Sequence, residues 1–192
     1  MFALNIKMVI ASLFLTGGVG KAWAAEDTSQ QAHVHGRAEL TVILEHNLLH
    51  IGLVSPAANI VGFESHARTR EQITIVERTV SILESVQKLF VFEGTDCRVQ
   101  KTDVDLSVVE PKHEHAHGYG EQEKDTNDDD HEHGEIVAEY EFRCQEGGSL
   151  NGISFEFLDQ FKDIERLRVM WITDREQRTQ TLSGTARRID LR

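Results

Sequence analysis

The sequence predicts an α+β fold: an antiparallel sheet with one long helix packed on one face. A disordered loop rich in His, Asp and Glu is inserted between two neighbouring strands. Three observations carry this reading. Several segments alternate apolar and polar residues with the period of two that marks a half-buried strand. One stretch, from Arg70 to Phe90, instead repeats its apolar residues at the helical period. Between two of the alternating segments lies KHEHAHGYGEQEKDTNDDDHEHGE, Lys112 to Glu135, which has almost no apolar side chain to bury. Low hydrophobicity with high like charge favours disorder over a packed core.

Residues 1–24 read as a signal peptide. Lys7 precedes an apolar run from Met8 to Gly20, and Ala22-Trp23-Ala24 presents the small-x-small pattern of a signal-peptidase site before Ala25. The apolar run is about 13 residues, short of the roughly 20 that cross a bilayer; an uncleaved anchor is the alternative. No later stretch is long and apolar enough to span, and neither cysteine lies near the cleavage point, so the mature chain is expected to be exported without membrane insertion. Losing Lys7 and Lys21 moves the formal charge from −12 to −14. Such a surface disfavours nucleic acid and anionic membranes and favours cations. Residues 25–192 suffice for a single domain with its own core. Two cysteines in an exported chain suggest one disulfide, Cys97–Cys144. The alternative is a redox-active pair, which lacks a Cys-x-x-Cys spacing.

After a polar N-terminus, Ala38, Leu40, Val42 and Leu44 share one face of a first strand, with Arg37, Glu39, Thr41 and Ile43 opposite. His46-Asn47 makes a turn, Leu48 to Val54 a second strand, and Pro56 with Ala57-Ala58-Asn59 ends the hairpin. Ile60 to Glu64 reads as a connector packed through Phe63. Thr69 with Gln72 three residues on has capping-box spacing. Ile73, Val76, Val80, Leu83 and Val86 then form a helical stripe continued by Phe90, and Gly94 stops it. Cys97 opens another strand through Val99, Val104, Leu106 and Val108. Its apolar parity changes, so a bulge is expected at Thr102-Asp103. Beyond the insertion, Ile136, Ala138, Tyr140 and Phe142 share a strand face ending at Cys144. These two strands are expected to be antiparallel neighbours with the cysteines opposite each other. Gly147-Gly148 turns the chain into the aromatic patch Ile153 to Phe161, a strand leading into a short helix. Leu167 to Thr173 is a strand, Asp174 to Arg178 a turn, and Thr179 to Leu182 its partner.

Five of the ten histidines, His113, His115, His117, His131 and His133, lie in the insertion, mixed with Glu114, Glu132 and Asp128 to Asp130. Imidazole nitrogen suits zinc, copper, nickel and iron, and the i, i+2, i+4 spacing in a mobile chain lets the rings turn to complete a tetrahedral shell. Carboxylates supply further ligands or acceptors and concentrate cations. Without thiols such a loop suits capture and exchange, and releases metal as imidazoles protonate below about pH 6.5. The bland reading is an acidic linker with incidental histidines. His33 and His35, at i, i+2 before the first strand, point to one side of an extended chain and form half of a more defined site, or else a surface pair. His46 and His50 read as structural or exposed; His66 is either a third ligand or a surface residue. There is no His-Glu-x-x-His, phosphate loop or nucleophile elbow, so no enzyme is expected.

His33-Val-His-Gly-Arg-Ala-Glu-Leu40, Ser55-Pro-Ala-Ala-Asn59, Val61-Gly-Phe-Glu64, the His-rich insertion, Ala138-Glu-Tyr-Glu-Phe-Arg-Cys144 and Ile189-Asp-Leu191 together resemble the zinc-regulated periplasmic family known as ZrgA. The resemblance implies a periplasmic zinc-binding protein made under zinc limitation that assists high-affinity import. The implied cargo is Zn2+, and the implied partner a periplasmic zinc-binding protein or a component of a zinc ABC importer. It also implies metal binding at His33, His35 and the insertion. Where the family reads Gly-Phe-Glu-His followed by proline, this chain has Gly62-Phe63-Glu64-Ser65-His66-Ala67, so His66 is displaced by one position. Two other functions fit the residues: a buffer or sensor of surplus copper or nickel, and a structural or interaction module whose acidic loop solubilises it.

Overall fold

The computed structural model describes residues 34–112 and 134–191. The expected signal peptide, His33, and residues 113–133 with the insertion's five histidines lie outside them. Among the described residues, nine strands and two α-helices follow in chain order: β1 (Arg37–Glu45), β2 (Leu48–Pro56), α1 (Ala57–Val61), α2 (Arg70–Glu84), β3 (Phe90–Glu93), β4 (Cys97–Asp105), β5 (Glu135–Cys144), β6 (Gly152–Phe155), β7 (Arg166–Thr173), β8 (Gln177–Ser183) and β9 (Arg188–Asp190). Six strands form one sheet in the order β4-β5-β2-β1-β7-β8, and β3-β6-β9 form a second, smaller one.

The expected hairpin is present, with Leu40 opposite Leu53 and His46 taking the positive φ of the turn. The purely antiparallel sheet is not. β1 and β7 run parallel, Leu40 beside Val169 and Val42 beside Trp171. Alternation marks a segment as a strand, but direction relative to a partner depends on the connection, here the long path from β1 through the whole middle of the chain. The parallel pair forms the sheet's centre with β2, where both strands bury Leu40, Val42, Leu167 and Val169.

The helix is shorter than the stripe suggested. Thr69 Oγ1 accepts from the Gln72 N–H at 3.2 Å and Gln72 Oε1 accepts from the Thr69 N–H at 3.1 Å, the reciprocal cap expected. The helix ends at Glu84, Val86–Lys88 form a 3₁₀ turn, and Phe90 belongs to β3. Val86, Leu89 and Phe90 are all buried, so the burial rhythm continues while the backbone changes. Thr74, Ser81 and Ser85 also back-bond to carbonyls four residues earlier, a pattern that weakens helices. The connector after β2 is likewise partly helical, since α1 occupies Ala57–Val61.

The bulge in β4 also lies earlier than expected: the register shifts between Val99 and Lys101, not at Thr102-Asp103. The extra residue, Gln100, explains the parity change. The neighbour relation holds, with Cys97 opposite Cys144 and the disulfide formed between them. The strand and short turn expected at 153–161 are β6 and the 3₁₀ turn Glu156–Asp159. The tail adds β9 to the small sheet.

One core joins these parts. Inward residues of the large sheet meet α2 and the small sheet: Tyr140 donates to the Leu83 carbonyl of α2 at 3.1 Å, and Phe90 stacks edge-on against Tyr140 at 5.1 Å. Burial pushes the Tyr140 phenol above its usual range, so it stays a neutral donor. Among the described residues, no helix is long and apolar enough to cross a membrane.

Candidate metal centre

Strand directions decide what shares an end of the large sheet. β1 starts where β2 ends and where β5 starts, since Glu39 pairs with Val54 and Pro56 with Glu135. β4 ends there too, Asp105 lying opposite Val137. The entry to β1 therefore shares this end with both roots of the insertion.

The entry is held in place backbone atom by backbone atom. Gly36 has φ +79°, a conformation glycine adopts without strain. Its N–H donates to Asn59 Oδ1 at 2.8 Å, and its carbonyl accepts from the N–H groups of Glu165 and Arg166, each at 2.9 Å. Asn59 sits in α1, is 3% exposed, and donates through Nδ2 to the Arg37 carbonyl at 2.8 Å and to Ser55 Oγ at 3.2 Å. One buried amide thus joins β1, β2 and α1. Its three hydrogen bonds satisfy groups that would otherwise be stranded away from water.

His35 stands just outside this clamp, its side chain 65% exposed. Its Nε2 lies 2.7 Å from Glu64 Oε1. Gly62 ends α1 in the left-handed conformation, its N–H donating to the Ala58 carbonyl at 3.0 Å, and so turns the chain to bring Glu64 back towards β1. His66, two residues on, donates from Nδ1 to the Glu110 carbonyl at 2.8 Å, since a carbonyl can only accept. That leaves the lone pair of a neutral ring on Nε2, the arrangement in which a histidine is ready to bind a metal.

The roots of the insertion are tied to the same segment. The Ala67 N–H donates to the Val109 carbonyl at 2.8 Å, and the Ala57 N–H to the Gly134 carbonyl at 2.9 Å. A Cβ at Gly134 would lie 2.7 Å from Val108 Cβ, so glycine lets one root close directly on the other. At the end of β4, the Ser107 N–H donates to Asp105 Oδ1 at 2.9 Å. The Ser107 backbone and hydroxyl hold that carboxyl below the usual carboxylate range.

Of the predicted metal ligands, only His35 falls within the described residues. His33, His113, His115, His117, His131 and His133 lie outside them. Among the described residues, no group of three or more ligand side chains is gathered. His35 supplies one imidazole, with Glu64 against its Nε2; His66 presents another beside the insertion's root. His46 is an exposed turn residue. His50 lines an open depression of about 360 Å³ on the sheet's other face, over Gly52 and beside Glu139 and Glu141, away from the end that carries His35. Glu64 and Asn59 were not among the residues singled out from the chemistry of the histidines. Their only signal was membership in the Gly-Phe-Glu and Ser-Pro-Ala-Ala-Asn stretches.

The family model for ZrgA zinc uptake proteins matches residues 32–191. The chain belongs to the ZrgA family. No curated protein matches it individually. As a ZrgA protein it is periplasmic and takes part in zinc handling. The family segment begins next to His33 and includes the clamp, both roots and the disulfide.

Proposed function

We propose that this protein captures zinc in the periplasm under limitation and assists its delivery to a high-affinity importer. The insertion 112–135, with His113, His115, His117, His131 and His133, is the collecting element. His33 and His35 form the receiving site, and the importer's periplasmic zinc-binding component takes the ion onward. No chemical transformation is involved; zinc is cargo, and ligand exchange moves it from one set of nitrogens to the next.

One observation supports the reading most strongly. His35 with its Glu64 partner, His66 and both roots of the insertion share one end of one sheet. Ligands on a chain rooted beside a site are held there at high effective concentration, so handover within one molecule outpaces exchange through bulk water. The donor set, imidazole with carboxylate and no thiol, suits a zinc ion that must be released again.

Native mass spectrometry of the mature protein with zinc, nickel and copper tests the proposal. Wild type is expected to carry several zinc ions, a deletion of residues 112–135 to lose most of them, and a His33→Ala/His35→Ala variant to lose about one. A loop deletion that keeps all bound zinc removes the collecting role. Preference for copper or nickel, with synthesis induced by excess metal rather than by chelation, replaces uptake with buffering.

A further inference from the structure

Resting on that reading of His35, we infer that Glu64 and Asn59 are positioning residues that present His35 to zinc through Nδ1. A carboxylate has no proton to give, so the proton in the 2.7 Å contact between His35 Nε2 and Glu64 Oε1 belongs to the imidazole. In a neutral ring the lone pair is then on Nδ1. Ligating histidines commonly donate their other N–H to a carboxylate, which sets the ring's angle and strengthens it as a ligand.

The backbone side of the arrangement is equally determined. Asn59 grips Gly36 N and Arg37 O, the peptide groups immediately after His35, while Glu165 and Arg166 hold Gly36 O. Glu64 grips the ring itself from a chain segment turned by Gly62. Backbone and side chain are thus restrained from two separate elements, α1 and the segment after it. An exposed histidine without these contacts would search several rotamers, and metal binding would have to oppose that entropy. Glu64 is 23% exposed and Asn59 is buried, so the carboxylate can be altered without opening the core.

The test uses the full mature chain with the five insertion histidines changed to Asn, so that His35 is read without the loop. Zinc affinity is measured by competition with a chromophoric chelator, together with a long-range proton–nitrogen spectrum of histidine-labelled protein. Glu64→Ala is expected to weaken zinc binding roughly 10- to 100-fold. Glu64→Gln, whose amide oxygen still accepts from Nε2–H, is expected to stay within about threefold of the parent, because the role is acceptance and not charge. Asn59→Ala should also weaken binding, and its spectrum reports whether the fold survives. Zinc should move the Nδ1 resonance of His35 and leave Nε2 protonated. Equal affinity in Glu64→Ala, or zinc on Nε2, overturns the inference while leaving a His35 site intact. A loss in Glu64→Gln as large as in Glu64→Ala overturns it by making Glu64 a direct ligand. Absence of zinc from the loop-silent parent overturns the receiving site itself, and the positioning roles with it.

Discussion

At the scale of single residues, a buried amide and an exposed histidine have opposite duties that meet at Gly36. Asn59 is a structural residue first: its side chain makes three hydrogen bonds where water cannot replace them. Asn59→Ala leaves the Gly36 N–H and the Arg37 carbonyl without that partner. It should cost roughly 1–3 kcal/mol of folding stability, read as a lower midpoint in urea unfolding with unchanged slope. His35, by contrast, is mostly solvent-exposed, and His35→Ala is expected to leave the unfolding midpoint within experimental error while losing about one bound zinc. Stability and metal binding therefore separate at neighbouring positions, which a purely structural role for the His35 motif does not allow.

At the scale of elements, β4 and β5 behave as a frame around the insertion. They are paired along their length, joined at one end by the Cys97–Cys144 disulfide and at the other by the contact of Gly134 with Val108. The cysteines are separated by 47 positions, and closing such a loop restricts the unfolded chain by about 4 kcal/mol on the chain-entropy account. Cys97→Ala/Cys144→Ala should lower stability by roughly that amount. Replacing residues 113–133 by a short Gly-Ser linker, with the disulfide kept, should leave thermal stability near wild type, because loop length enters only logarithmically. If the linker variant melts as early as the cysteine variant, the insertion is part of the fold and not a passenger on the frame.

At the scale of the molecule, pH acts in two windows. Glu93, held down by hydrogen bonds from Arg188, Asp105 by the Ser107 backbone, and Asp159 by Lys162, all have depressed folded-state values. A depressed value means the native state favours the ionised form. The associated stability is present above the unfolded value of about 4 and is lost as pH falls through the folded values. Zinc binding depends on neutral imidazoles and should fade nearer pH 6.5. Titration from pH 7.5 to 3 is therefore expected to show metal release first, with circular dichroism unchanged, and unfolding only at the acid end. Coincident release and unfolding at every pH contradict a folded scaffold with exchangeable cargo.

Local chemistry made much of this protein legible. Alternating residues marked the long strands, since one face of each must be buried: Ala38 to Leu44 and Ile136 to Phe142 are buried as read. The Thr69–Gln72 cap and the facing cysteines follow from spacing and from two strands that flank one insertion. Residue type alone marks the histidines as candidate nitrogen donors. Other features depended on contacts distant in sequence. The parallel pairing of β1 with β7 has no local signature, because a strand's alternation is the same in either direction. The end of α2 at Glu84 was hidden because Val86, Leu89 and Phe90 stay buried on a different backbone. The meeting of His35 with Glu64, and of His66 with the root of the insertion, needed the whole sheet. The sequence by itself determined which side chains offer imidazole nitrogen, the donor type that suits a transition metal. Only the tertiary structure decided that the entry strand and the roots of the insertion share one end of the sheet, because strand direction and register are set by packing across the core, not by neighbours along the chain.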